Sequence, residues 1–148
     1  MIQIWVDADA CPGAVKEILF RAAARREVAL TLVANHAMRV PKASNVRLLI
    51  VEQGFDVADN YIAQRVAPGD LVITADIPLA AEIVEKQAVG LNPRGTLYTP
   101  ENIRDHLARR NFMEELRSSG QVSGGPPALS KTDLQHFANA LDRYLTDA

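Results

Sequence analysis

Two aspartates leave the end of the first apolar run almost together. Ile2-Gln3-Ile4-Trp5-Val6 is followed by Asp7-Ala8-Asp9-Ala10-Cys11-Pro12, and the pattern returns where Leu71-Val72-Ile73-Thr74 runs into Asp76-Ile77-Pro78. Between the two lies Asp56-Val57-Ala58-Asp59. A strand ending in acids, with a proline-opened helix next, occurs in several magnesium-dependent phosphate enzymes. Three or four carboxylates within several ångströms repel, and unneutralised they raise one another's pKa. A magnesium or manganese ion removes that penalty, taking one or two carboxylates directly and the rest through water. Such an ion polarises a phosphate and activates water, and a pair of ions clamps both oxygens of an in-line displacement.

Each acid also has a plainer reading. Asp9 and Asp76, just ahead of a proline, fit ordinary cap or turn residues. Asp56 and Asp59 are three apart, so on a helix they share a face, and one of them reads as a first-turn acid favoured by the helix dipole. Only the set of four makes an ion site the first hypothesis. Cys11 sits beside the acids, but an acidic neighbourhood discourages a thiolate, and it reads as a small packed residue. His36 has no partner at a useful spacing, and His106 and His136 fall on helices, so none receives a catalytic role. Arg39 and Arg94 are the cations expected to face a phosphate, with Asn35 and Asn92 beside them. Lys42 reads as solvated charge. Arg21, Arg25, Arg26, Arg109, Arg110 and Arg117 read as helix surface. No glycine-rich loop with lysine is present, which argues against a Walker-type triphosphatase.

The elements that must position these residues follow from periodicity. Ile2, Ile4 and Val6 alternate with polar or amphipathic neighbours as in a strand. Val15, Ile18, Leu19, Ala22 and Ala23 form the stripe of a helix opened by Pro12. Residues 28–34 and 46–51 are continuous apolar runs, as expected of strands covered on both faces. A second helix is expected from about Asp56 to Val66, with Ala58, Ile62 and Val66 inward. The fourth strand is Leu71 to Thr74, and Pro78 opens a helix carrying Leu79, Ala80, Ile83 and Val84. Val89-Gly90-Leu91 reads as a fifth strand. Thr99-Pro100 is expected to cap and open a long helix with Ile103, Leu107, Phe112 and Leu116 inward, ended by Gly120. Residues 118–129 are rich in Ser, Gly and Pro and read as a flexible surface loop, either a plain linker or a lid over the acids. Ser130-Lys131-Thr132-Asp133 resembles a capping box, opening a last helix with Leu134, Phe137, Ala138, Leu141 and Leu145 inward.

This alternation predicts an α/β fold: one domain over 1–148, with a parallel sheet of about five strands, helices on both faces and two carboxyl-terminal helices. In such sheets ligands bind outside the carboxyl ends of the strands. Asp7 and Asp9, Asn35 and Arg39, Asp56 and Asp59, Asp76, and Asn92 and Arg94 all follow strands. They are therefore expected along one rim.

Composition narrows the partners. The 148 residues are long enough to bury about two-thirds of the unfolded surface in one domain. A net charge of −2 gives no global basic field, so a nucleic acid would need a local patch. The single cysteine excludes an intrachain disulfide and a zinc site built from cysteines. No apolar run reaches a membrane span, and the opening residues do not read as a signal peptide, so a cytoplasmic protein is expected.

Six segments, Val6-Asp7-Ala8-Asp9-Ala10-Cys11-Pro12, Met38-Arg39-Val40-Pro41, Gly54-Phe55-Asp56-Val57-Ala58-Asp59, Thr74-Ala75-Asp76-Ile77-Pro78-Leu79-Ala80, Asn92-Pro93-Arg94-Gly95 and Gly124-Gly125-Pro126, together span nearly the whole chain. In them the chain resembles the YaiI/YqxD family of uncharacterised bacterial proteins. More distantly, the order of acids is similar to PIN-like nucleases: one after the first strand, one early in a middle helix, one after the fourth strand. That likeness implies a Rossmann-like fold, with Asp7 and Asp76 as ligands of magnesium or manganese, Asp59 as the helix acid, and Asp9 as a second acid beside Asp7. It also implies a nuclease, with RNA the expected substrate. Two positions depart from the common pattern: Asn60 stands where a second acid often follows Asp59, and Leu134 where an arginine is common.

Two other functions stay open. The domain could bind RNA, a nucleotide or a protein without turnover, its acids serving a structural ion; the absence of a basic stripe favours this over an efficient nuclease. Asp7-Ala8-Asp9 also resembles the opening of haloacid-dehalogenase-type phosphatases, where the first Asp is a covalent nucleophile and the second a general acid/base. Those enzymes need a later lysine and usually two acids after the fourth strand, where this chain has Asp76 alone.

Overall fold

The alternating apolar runs assemble as one α/β domain around a mostly parallel sheet. The structure, a computed structural model, describes residues 2–54, 56–121, 123–125 and 127–148. Its strands are β1 (Gln3–Asp7), β2 (Ala29–Ala34), β3 (Val46–Ile50), β4 (Leu71–Ile73), β5 (Val89–Leu91) and β6 (Leu97–Tyr98). Its helices are α1 (Gly13–Arg26), α2 (Val57–Arg65), α3 (Ile77–Glu85), α4 (Ile103–Ser118) and α5 (Lys131–Asp147). The sheet order is β3-β2-β1-β4-β5-β6, parallel throughout except for the last pair.

Successive side chains on a strand point to opposite faces, and β1 shows what that does here. Ile4 and Val6 enter a core with Leu30, Leu32, Leu71 and Ile73, covered by Val15 and Leu19 of α1 and by Phe137 and Leu141 of α5. Trp5 enters the opposite core with Val33 and Val72, under Ile62 of α2 and Leu79 and Ile83 of α3. Helices therefore cover both faces, as the continuous apolar strands require.

Three sequence-based expectations change. Among the described residues the sheet has six strands rather than about five. The added β6 pairs antiparallel with β5 after a turn in which Asn92 Oδ1 accepts from the Arg94 and Thr96 N–H groups at 2.9 and 3.0 Å. Two residues are too few to show alternation, so no pattern marked it. The long helix begins at Ile103, not Pro100: Thr99 to Asn102 form a turn closed by the Thr99 N–H to Asn102 Oδ1 at 2.9 Å. Phe112 is not inward but 59% exposed. It lies five residues beyond half-buried Leu107, roughly 140° around a helix of 3.6 residues per turn, and among the described residues no α4 side chain is fully buried.

The capping box at Ser130 forms as expected, with Ser130 Oγ accepting from Asp133 N and the Asp133 carboxylate accepting from Ser130 N, both at 3.0 Å. Arg94 reaches the same carboxylate at 2.6 Å and donates to the Pro127 carbonyl. Gly95 completes this clip. At φ 94° it lies so close to α5 that an added Cβ would stand 2.6 Å from the His136 carbonyl carbon. The flexible-loop reading of residues 118–129 falls partly outside the described residues, since Val122 and Pro126 are not among them. At the ends of that segment Ser118 closes α4 and Leu129 packs on the α1-side core. Among the described residues no helix is long and apolar enough to cross a membrane.

Asp70 stands in Pro68-Gly69-Asp70, a turn-forming sequence ahead of β4 that gives no sign of a buried role. It is buried at the amino-terminal edge of the sheet and accepts from Gln3 N and Trp5 Nε1 at 3.1 Å and from Ala67 N at 2.9 Å. Replacing it with alanine strands those donors, each of which costs free energy when left unpaired inside. Asp70→Ala is expected to lower unfolding free energy by about 2–4 kcal/mol, read as a shift in urea midpoint at unchanged slope. A shift within that of neutral surface variants would show that Asp70 holds nothing.

Candidate active site

The carboxyl ends of β1, β2, β4 and β5 face one rim. β1 delivers Asp7 as its last residue, and a 3-10 turn, Ala8–Ala10, carries Asp9. β4 ends beside it. Val6 is in register with Ile73, so the next residues, Asp7 and Thr74, lie side by side. Thr74 is buried and its hydroxyl donates to Asp7 Oδ2 at 3.3 Å while accepting from the Asp76 N–H at 3.0 Å. Asp76 then caps α3, its Oδ1 accepting from Leu79 N at 3.0 Å. Asp59 arrives from the first turn of α2, behind Asp56, which takes a left-handed conformation at φ 64° to start that helix.

Electrostatics identify which acids meet. Burial raises the Asp7 carboxyl above its ordinary value, the Thr74 hydrogen bond opposes this, and the charges of Asp76 and Asp9 raise it further. Asp59 is pushed up to about 7, first by desolvation, then by the charge of Asp7 and by hydrogen bonding and repulsion with Asp76, and last by Asp56. Asp7, Asp59 and Asp76 therefore form one interacting set. Cys11, beside them, is pushed up to about 12 mainly by burial, so it stays a neutral thiol as its surroundings suggested.

Asp9 turns the other way. Its Oδ2 accepts from Asn35 N at 2.8 Å and its Oδ1 lies 2.9 Å from His36 Nδ1. The Asn35 side-chain amide, oriented with nitrogen toward Asp9, donates to the same carboxylate. Asn35 and His36 are thus brought to the rim together, and His36, given no role from sequence, gains a carboxylate partner. Its signal lay in register: Asp7 pairs with Val33, which sets Asp9 opposite Asn35.

The cations divide differently than expected. Arg39 sits exposed between Met38 and Val40, which pack on the core. Arg94 is engaged by Asp133 and Pro127, and Asn92 by its own turn and by Tyr98, to whose hydroxyl its Nδ2 donates at 3.0 Å. A cavity of about 310 Å³ opens beside the acids, lined by Asp56, Asp59, Asn60, Asp76, Glu82 and, from α4, Arg110. Arg110 was read as plain helix surface because only tertiary packing brings α4 over α3. Among the described residues, no group of three or more His, Cys, Asp or Glu side chains stands ready to hold a metal ion as arranged.

The chain matches, over residues 5–147, the family model described as "Uncharacterized BCR, YaiI/YqxD family". It is 59% identical over 145 residues to a "UPF0178 protein" of Shewanella loihica, covering 98% of this chain and 97% of that one. It is 63% identical over 145 residues to proteins of the same name from Hydrogenovibrio crunogenus and Maridesulfovibrio salexigens, in each case across 98% of this chain and 96% of the relative. No solved structure matches it significantly. With a match across nearly its whole length and relatives of this identity, the chain belongs to the YaiI/YqxD family.

Proposed function

We propose that this protein is a PIN-like, metal-dependent phosphodiesterase that hydrolyses single-stranded RNA. The observation that carries the reading is the mutual elevation of Asp7 and Asp59 beside Asp76: carboxylates from β1, α2 and the end of β4 press together, and among the described residues no cation is ion-paired to any of them. Hydrophobic packing alone gives no reason to hold three acids this way, whereas a cation does. The strand order, with β1 inside the sheet and acids after β1, in α2 and after β4, supports the PIN-like assignment.

The donor set suits magnesium or manganese, which take oxygen ligands, rather than a thiolate-seeking metal. Asp7, Asp59 and Asp76 would hold the ion directly and Asp9, drawn toward Asn35 and His36, through water. When bound, it supplies positive charge at a phosphate oxygen and activates water for attack. Thr74 fixes the Asp7 carboxylate, and the Leu79 N–H fixes that of Asp76, so neither must be ordered at the moment of reaction. Asn35, bonded to Asp9, and Arg39, exposed on the loop after β2, would contact a strand crossing the rim.

A second reading, a binding domain without turnover, is favoured by the lack of a ready ligand set among the described residues and by the commitment of Arg94 to Asp133. One experiment separates the two. Manganese binding is measured by calorimetry for wild type, Asp7→Asn and Asp76→Asn, and cleavage of a labelled oligouridylate is followed in parallel. The expected result is binding and manganese-dependent cleavage by wild type, both reduced at least about a hundredfold in the variants, with circular dichroism unchanged. Binding without cleavage supports the second reading, and no binding in any protein removes the ion site.

Stability against pH gives an independent check without metal. Asp59 rises from 3.8 to about 7 on folding, so the folded protein keeps a proton that the unfolded chain releases. Its contribution is complete below the unfolded value and is lost as pH climbs through about 7. The metal-free wild type is expected to melt at a lower temperature at pH 8 than at pH 5.5. Asp59→Asn should flatten that slope and melt higher at pH 8. Manganese should raise the pH 8 melting temperature of wild type more than that of the variant. Parallel slopes in the two proteins would dissociate Asp59 from the strain.

A further inference from the structure

We infer that Arg110 of α4 is the residue that anchors the substrate phosphate, an assignment that rests on the phosphodiesterase reading and sharpens it. The cavity beside Asp59 and Asp76 is lined by four carboxylates, those of Asp56, Asp59, Asp76 and Glu82, and, among the described residues, by a single cation, Arg110. Arg110 forms no ion pair with any of them among the described residues. Its Nη1 donates instead to the neighbouring Asn111 Oδ1 at 3.2 Å. A guanidinium surrounded by acids yet not bonded to them keeps its donors available for an incoming anion. Its planar fork suits two phosphate oxygens at once. Arg94, one of the two cations expected from sequence to face a phosphate, is bonded to Asp133 and Pro127 instead.

The cavity, about 310 Å³, is at the small end of ligand sites and admits a single nucleotide unit rather than a duplex. Asn60 lines it too, an uncharged side chain that leaves the wall beside Arg110 less repulsive to phosphate than an acid would. The ligand class that fits is a nucleoside monophosphate unit of a single strand, its phosphate between the ion held by the acids and the guanidinium from α4.

Calorimetric titration of uridine 5′-monophosphate, a phosphomonoester the enzyme has no diester bond to cut in, tests this on manganese-saturated protein. Wild type is expected to bind it only with manganese. Arg110→Met should weaken that binding roughly ten- to hundredfold, and Arg110→Lys should recover part of it. The same Arg110→Met protein should bind manganese at least as tightly as wild type, because a nearby positive charge has gone; loss of both affinities would mean damage to the fold and overturn the assignment. Equal nucleotide binding by wild type and Arg110→Met, with tighter manganese, makes Arg110 a mere counter-ion and overturns the inference while the phosphodiesterase reading stands. No manganese-dependent nucleotide binding by wild type removes the anchor, and absence of manganese binding itself removes the reading beneath it.

Discussion

The parallel pairing of β1 between β2 and β4 governs what this protein can do. Parallel strands all end at one edge, and β1 lies inside the sheet, so its last residue meets neighbours on both sides. The registers Asp7 to Val33 and Val6 to Ile73 then dictate the local chemistry: Thr74 falls next to Asp7, and Asn35 opposite Asp9. Three crossover helices add their amino termini to the same edge, with Asp59 in the first turn of α2 and Asp76 capping α3. Helix dipoles and N–H groups partly compensate those carboxylates. The compensation is incomplete, and the elevated Asp7 and Asp59 mark what is left over.

The rim divides into two regions of different character. On the β2 side Asp9 is satisfied by Asn35 and His36, and nothing in its surroundings demands another partner. On the β4 side Asp7, Asp59 and Asp76 have one hydroxyl and one helix N–H among them, against mutual repulsion. Acids placed for stability would resemble Asp70, which has three donors, lies buried at the opposite edge and carries no neighbouring acid in its hydrogen-bond set. The same fold thus contains both kinds of carboxylate. The contrast between them is the strongest physical argument that the Asp59 side is built for a ligand.

What the sequence disclosed followed from periodicity and strand ends. Alternation in the first strand and apolar runs in the next four marked five strands, the stripes of α1, α3 and α5 were correct in their inward residues, and Ser130 with Asp133 marked a real capping box. The rule that ligands gather at carboxyl ends of parallel strands placed Asp7, Asp59 and Asp76 together. For the polar side chains the misses have one cause. Whether such a side chain is free depends on partners distant in sequence: Arg94 on Asp133, Asp70 on Trp5. Helix α4 was the weakest reading because it lies on α3 rather than on the sheet, so its apolar stripe is shallow and Phe112 could be assigned to the wrong side.

Charge imposes an order on any chemistry at this rim. A phosphate approaching four carboxylates and one guanidinium meets net repulsion, and a chain of net charge −2 offers no long-range field to offset it. A divalent ion reverses that balance. Bound there as proposed, it would relieve the strain on Asp59, whose raised carboxyl would otherwise hold a proton against it, and would turn the groove from anion-repelling to anion-accepting. Ion first and phosphate second is therefore the order the groove's charges favour. Under the proposed ion site, entry of the ion would release the Asp59 proton, so ion affinity would rise with pH across the neutral range, the reverse of the stability trend expected of the metal-free protein. Both trends originate in the same three carboxylates, held at the ends of β1, β4 and the start of α2 by a sheet whose register leaves them nowhere else to go.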